Sequence, residues 1–218
     1  MRISTTTLES FRLFMQPDNE WMAEDDLIAT IRGQFTGNHK VWLGQAFGSV
    51  IETPERYRIA GGYRVDGLRG CPESFVLGDD VMGPLLALVD RDRTVFEAKG
   101  SKRYGVHDVV ARADQMVGAR IVETKSTLST FDFDKYATSC QWRFYLDIFD
   151  AVSVTYHVAC LSESEANGVI GLRGVESFTL YPYAGMRADL DALIQEFCGY
   201  VEARGLAAHL DQRQREAA

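Results

Sequence analysis

Apolar residues along this chain follow two periods, and the change from one to the other outlines its architecture. Helical spacing comes first. Thr6-Thr7-Leu8-Glu9 reads as a capping box opening a short helix with Leu8 and Phe11 inward. Glu24 to Arg32 places Leu27, Ile28 and Ile31 on one face, and His39 to Glu52 does the same with Leu43, Ala46, Phe47, Val50 and Ile51. In that last helix Gly44 and Gly48 share a face, each at a cost of roughly 1 kcal/mol relative to alanine. Close approach of another backbone is the expected reason. Tyr57 to Phe75 is rich in glycine and turn signals and is expected to be a loop. Asp79-Asp80 then caps a helix reaching Val89, with Pro84 disturbing its first turns.

From Thr94 the period drops to two. Thr94 to Lys99, Val106 to Gln115 and Ala119 to Lys125 read as a three-strand meander, with Val117-Gly118 as the last turn. Phe133 to Phe149 is expected as one helix. Val152 to Leu161 and Val175 to Tyr181 follow as strands, and Arg187 to Arg204 as an amphipathic helix. Helices, a meander, a helix, strands and a helix make an α/β layer arrangement with a mixed sheet. A single domain over 1–205 with a polar, frayed tail over 206–218 is expected.

Composition narrows the class. A chain of 218 residues, 46% hydrophobic and 25% charged, suits one globular domain. No apolar run is long enough to span a membrane, and the N-terminus has no apolar signal segment, so a cytoplasmic location without membrane partners is expected. Cys71, Cys140, Cys160 and Cys198 are widely spaced, which suggests reduced thiols rather than a zinc site or disulfide frame. The net charge of −8 argues against non-specific binding to nucleic acid. Its distribution alters that picture. Arg91 to Lys125 carries eight basic and five acidic residues, leaving −11 for the rest of the chain. A local cationic strip of this kind is compatible with gripping a phosphate backbone.

The strip contains the candidate chemistry. With Val117-Gly118 as the turn, Met116 pairs with Ala119 and Asp114 lies opposite Ile121, so Asp114, Glu123 and Lys125 share one face. Two carboxylates can hold a hard divalent cation through oxygen, and a neighbouring lysine can orient water and offset negative charge. The triplet alone is weak, because Glu97-Ala98-Lys99 repeats it in a chain with 31 acids. Glu97 and Lys99 share a face of the preceding strand, which suits either a place near the phosphate path or pairing with neighbours, and the second reading is preferred. The four histidines show no ligand spacing, and Trp42 and Trp142 read as core residues.

Asp114 followed by Ile121-Val122-Glu123-Thr124-Lys125-Ser126-Thr127 resembles the D…ExK core of the PD-(D/E)XK nucleases. Gln141-Trp142-Arg143-Phe144-Tyr145 resembles the QxxxY motif of the RecB-like and phage-exonuclease branches. Gly44 to Glu52 resembles their first helical motif, with Gly48 where many members have histidine, and Ile3 to Phe11 resembles their opening segment. The resemblance implies a restriction-endonuclease-like core and a Mg²⁺- or Mn²⁺-dependent deoxyribonuclease, an exonuclease of phage or bacterial recombination. It implies that Asp114, Glu123 and Glu52 hold metal, that Lys125 positions the attacking water, and that Gln141 and Tyr145 line the site. DNA is the implied partner, with a homo-oligomer and a recombination partner protein left open. The missing histidine and acidic balance leave room for a nuclease-fold binder that does not cut. An endonuclease or junction resolvase also remains open. The resemblance brings no iron–sulfur cluster, because the cysteine set is absent.

Overall fold

The computed structural model describes residues 1–17, 22–35, 37–164 and 169–210. In chain order the elements are β1 (Arg2–Ser4), α1 (Thr5–Phe14), α2 (Glu24–Arg32), α3 (His39–Glu52), α4 (Pro54–Tyr57), β2 (Arg58–Ile59), β3 (Gly62–Val65), β4 (Phe75–Gly78) and α5 (Asp79–Leu86). They continue as β5 (Thr94–Tyr104), β6 (His107–Val117), β7 (Arg120–Thr127), α6 (Phe133–Ala137), α7 (Gln141–Ile148), β8 (Ser153–Glu163), β9 (Ile170–Leu180) and α8 (Met186–Ala203).

The main sheet runs β1-β6-β7-β8-β9, with β5 also paired to β6. β1 meets β6 in parallel and β7 meets β8 in parallel, while β5–β6, β6–β7 and β8–β9 are antiparallel. This is the mixed sheet flanked by helices that the sequence order predicts. Its two faces separate along β8. Val154, Tyr156 and Val158 join the core under α7, whereas Ala159 and Leu161 join the core under α3 and α5. A third cluster gathers α1, α2 and α8 around Ile3 and Phe197. Among the described residues, no helix is long and apolar enough to cross a membrane.

Several elements differ from the sequence reading for identifiable reasons. The stretch Tyr57 to Phe75 is not all loop. Tyr63, Val65 and Phe75 are buried in a second small sheet, β2-β3-β4, which packs under α3 and α5. Phe133 to Phe149 is two helices, with α7 turning at Cys140. The cap of α1 is Ser4, whose Oγ accepts from the Thr7 N–H at 3.1 Å, and not Thr6. Glu9 is therefore free for another task. It accepts from the Cys140 N–H at 2.8 Å and from Arg12, so it caps the start of α7 and ties α1 to it. Burial alone would raise the Glu9 carboxyl, but Arg12 and the Cys140 N–H outweigh it and hold it below the usual range. Leu206 and Leu210, within the stretch read as polar tail, are buried with the α1–α8 core. Residues 211–218 lie outside the described residues.

The glycines of α3 also depart from expectation, because no backbone approaches them. A Cβ at Gly44 would meet only the Ser126 Oγ at 3.8 Å, and one at Gly48 would meet nothing within 4 Å. Gly48→Ala is therefore expected to stabilise the fold by about 0.5–1 kcal/mol through helix propensity. A thermal melt checks this, and a lowered melting temperature would show that the position needs its glycine.

Candidate active site

β6 shares one of its edges between two strands. Near its start, Val109 pairs with Ile3 of β1. Near its end, Gln115, Met116 and Val117 pair with Val122, Ile121 and Arg120 of β7. Between these ladders, residues 111–114 have no strand partner on that edge among the described residues. Asp114 stands in this gap.

The hairpin register differs from the sequence reading by one residue on each strand. The turn is Gly118-Ala119, where Gly118 takes φ 59°, a left-handed value that suits glycine. Moving the turn brings Asp114 opposite Glu123 rather than Ile121. Because both strands move together, side-chain parity is kept, and Asp114, Glu123 and Lys125 still converge. The backbone ladder stops one residue earlier, at Gln115 and Val122. The Asp114 N–H, freed from that ladder, donates to Glu123 Oε1 at 3.0 Å. Lys125 Nζ donates to Glu123 Oε2 at 2.6 Å and to Asp114 Oδ2 at 3.2 Å.

The electrostatics follow from depth. Glu123 is fully buried on a central strand between β6 and β8, while the Asp114 side chain is 40% exposed. Burial, and then the Asp114 charge, push the Glu123 carboxyl up to about 8 against the opposing pull of Lys125. Burial would lower Lys125, but the Asp114 and Glu123 carboxylates outweigh it and hold the ammonium well above its ordinary value. One ammonium thus bridges two carboxylates in a poorly solvated place.

The gap in β6 opens into a cavity of about 600 Å³ that contains Asp114, Lys125, Gln141 and Tyr145 in its lining. Glu9 sets the start of α7 and so places Gln141. Tyr145 is buried and donates its OH to the carbonyl of Arg112 at 3.1 Å, a backbone acceptor inside the strand gap. Burial, then the Glu123 charge, hold the Tyr145 phenol well above its ordinary value, so it remains a donor. Arg2, Lys99 and Arg112 also reach the cavity, as do the hydroxyl residues Ser4 to Thr7 at the start of α1. Of these, the opening segment carried a motif signal, and Lys99 and Arg112 belonged to the cationic strip. Arg112 stands two residues before Asp114, and nothing in its spacing marked it out.

Glu52 ends α3, where Arg91 donates to the Ile51 and Glu52 carbonyls. Its carboxylate neighbours Glu97. The Glu97 carboxyl is raised by burial, opposed by Arg112, and raised further by Glu52 and Asp114. Glu52 thus acts on Glu97 through its charge and, among the described residues, makes no hydrogen bond or ion pair to the Asp114–Glu123–Lys125 group. Glu97 itself pairs with Arg112, Nε to Oε2 at 2.7 Å, as a strand residue pairing with a neighbour would. Trp142 is a core residue whose Nε1 donates to the Ala137 carbonyl. Among the described residues, no three carboxylate, imidazole or thiol groups converge closely enough to enclose a metal ion. Lys125 occupies the space between Asp114 and Glu123.

No protein family and no curated protein matches the chain. Solved structures do. A candidate exonuclease from Eubacterium rectale superposes with a TM-score of 0.53 at 10% identity, covering 94% of this chain and 81% of that one. The protein SSO0001 superposes with a TM-score of 0.51 at 13% identity, over 89% of this chain and 74% of its own. The alkaline exonuclease of Laribacter hongkongensis aligns over 100% of this chain and 95% of its own at 10% identity and a TM-score of 0.48. The first two share this fold over nearly the whole chain.

Proposed function

We propose that this protein is a divalent-metal-dependent deoxyribonuclease of the PD-(D/E)XK type, acting as an exonuclease on DNA. The observation that carries the reading is the convergence of Asp114, Glu123 and Lys125 where the β6 edge opens, beside a cavity that also takes Arg2, Lys99 and Arg112. The fold-level likeness to the Eubacterium rectale protein supports the exonuclease part.

The donor set fits Mg²⁺ or Mn²⁺. It consists of carboxylate oxygens, the hard ligands these ions take. Once both carboxyls are ionised they outweigh the one ammonium, and a divalent cation would compensate that charge as it displaces the proton that burial favours on Glu123. Asp114 and Glu123 would hold the ion, and Glu52 is the third carboxylate that the motif resemblance assigns to it. When bound, the ion supplies an activated water and neutralises charge on the phosphate. The chain's own residues do the rest. Lys125 orients water and offers positive charge to the phosphate, Tyr145 fixes the backbone on which Asp114 stands, and Gln141 contributes an amide to the cavity wall. Recombination or repair in a cytoplasm, with oligomerisation or a partner protein, is the setting that the motif resemblance supplies.

The test is a cleavage assay with Mg²⁺ or Mn²⁺ on linear and covalently closed duplexes. Metal-dependent loss of the linear substrate alone is expected. Equal attack on closed circles would identify an endonuclease. DNA binding without cleavage under any divalent ion would favour a non-cutting binder.

A further inference from the structure

Glu97 is held in a conformation that its place in the sheet does not require. β5 and β6 pair regularly from Thr94–Val117 through Phe96–Gln115, and again from Ala98–Ala113 to Tyr104–His107. The ladder skips Glu97 and Asp114, and Glu97 takes φ 53°. That is the left-handed region, which L residues other than asparagine and aspartate rarely adopt, and a strand interior is an unusual place for it. The Glu97 carboxylate lies diagonally across the strands against Arg112, Oε2 to Nε at 2.7 Å.

We propose that Glu97 is a positioning residue that holds Arg112 ready to grip a phosphate of the substrate strand. This rests on the nuclease reading above. Arg112 is held at two points: its carbonyl accepts the Tyr145 OH, and its guanidinium forms an ion pair with Glu97, Nε to Oε2 at 2.7 Å. None of its guanidinium N–H groups forms a hydrogen bond among the described residues, and the side chain is 65% exposed beside the cavity. A guanidinium ion-paired on its Nε side still presents its outer N–H fork, the geometry that matches two phosphate oxygens. A free arginine would lose rotamer freedom on binding, and Glu97 removes part of that loss in advance. Arg112 would act as a phosphate-contacting residue and Glu97 through it. An ornamental cross-strand pair would need neither the left-handed backbone nor the anchored carbonyl.

The test uses the whole chain, a short fluorescein-labelled DNA duplex, and a salt titration in EDTA, so that no cleavage enters. Arg112→Gln is expected to weaken binding about 10-fold and to reduce the slope of log K against log[salt] by about 1, as loss of a phosphate contact does. Glu97→Gln is expected to weaken binding about 3-fold, and the double variant to match Arg112→Gln alone. Glu97→Gly suits the left-handed backbone, so it should melt no lower than the parent and still bind as weakly as Glu97→Gln. Unchanged or tighter binding by Glu97→Gln would overturn the proposal, and so would additive losses in the double variant. Either result would leave the nuclease reading intact. A parent protein that binds no DNA would overturn both.

Discussion

Lys125→Ala is expected to lower metal-dependent cleavage by about 10²–10⁴-fold while the protein stays folded. The activity loss follows from position. Lys125 Nζ is the cation in hydrogen-bond contact with both Asp114 and Glu123, so it lies beside any water or phosphate oxygen that those carboxylates bring in. Folding is a separate question, because breaking a buried ion pair ordinarily costs about 3–5 kcal/mol through the charge left behind. Here that charge has a way out. Burial already pushes the Glu123 carboxyl up to about 8, and without Lys125 it rises further and stays protonated at neutral pH. The neutral carboxylic acid still accepts the Asp114 N–H. The stability loss should therefore fall below the ordinary range, leaving a cooperative melt and an unchanged circular-dichroism spectrum. Lys125→Met keeps the aliphatic stem and should fold better while remaining inactive. Either variant cleaving at the parent rate would remove Lys125 from the active site. An unfolded Lys125→Met would show that the ammonium is structural first.

How much of this was legible in the sequence depends on how local each interaction is. The hairpin from Asp114 to Lys125 was legible because alternation and a nearby turn specify a strand pair with little outside help. Moving the turn from Val117-Gly118 to Gly118-Ala119 changed the partners without changing the shared face, so the site survived the error. β1 was not legible. It has three residues, and its reason for being a strand is a parallel partner more than a hundred residues away in β6. The gap in the β6 edge exists only because β1 and β7 share that edge, so neither the cavity nor the role of Arg112 could be read before β1 was placed. Glu9 misled in a similar way. Its spacing from Thr6 satisfies a capping box, yet it caps α7, an element far along the chain. β3 and β4 were hidden because glycines dominate their surroundings, while their burial comes from α3 and α5 above them. The left-handed conformation of Glu97 had no sequence signal, since glutamate is a poor choice for it.

The metal-free protein is expected to lose stability as pH rises from about 5 to about 8, and Glu123 should be the principal cause. A carboxyl raised to about 8 in the fold, against 4.5 when free, binds more protons folded than unfolded throughout that interval. Stability must then fall with pH there, by up to about 1.4 kcal/mol per unit for one group. The contribution is fully present below the free value and is gone above the folded one. His39 adds in the same direction. Its pKa is raised by its bond to Glu73, against burial, with Glu163 adding to the rise, so this bridge from α3 to the loop before β4 also weakens as it deprotonates. Glu9, held low, loses its contribution only at more acid pH. Subtracting the pH profile of Glu123→Gln isolates the Glu123 part, because glutamine keeps the acceptor for the Asp114 N–H without a titrating proton. A divalent ion at the site should act oppositely to pH, since it favours the charged carboxylate and displaces the proton. Mg²⁺ binding at pH 7 should therefore release protons in the parent and not in Glu123→Gln, read as a buffer-dependent heat in calorimetry. A flat parent profile between pH 5 and 8, superposable on that of Glu123→Gln, would mean that Glu123 is already ionised, with Lys125 alone compensating it. Metal binding would then compensate the net negative charge of Asp114 and Glu123 without releasing a proton.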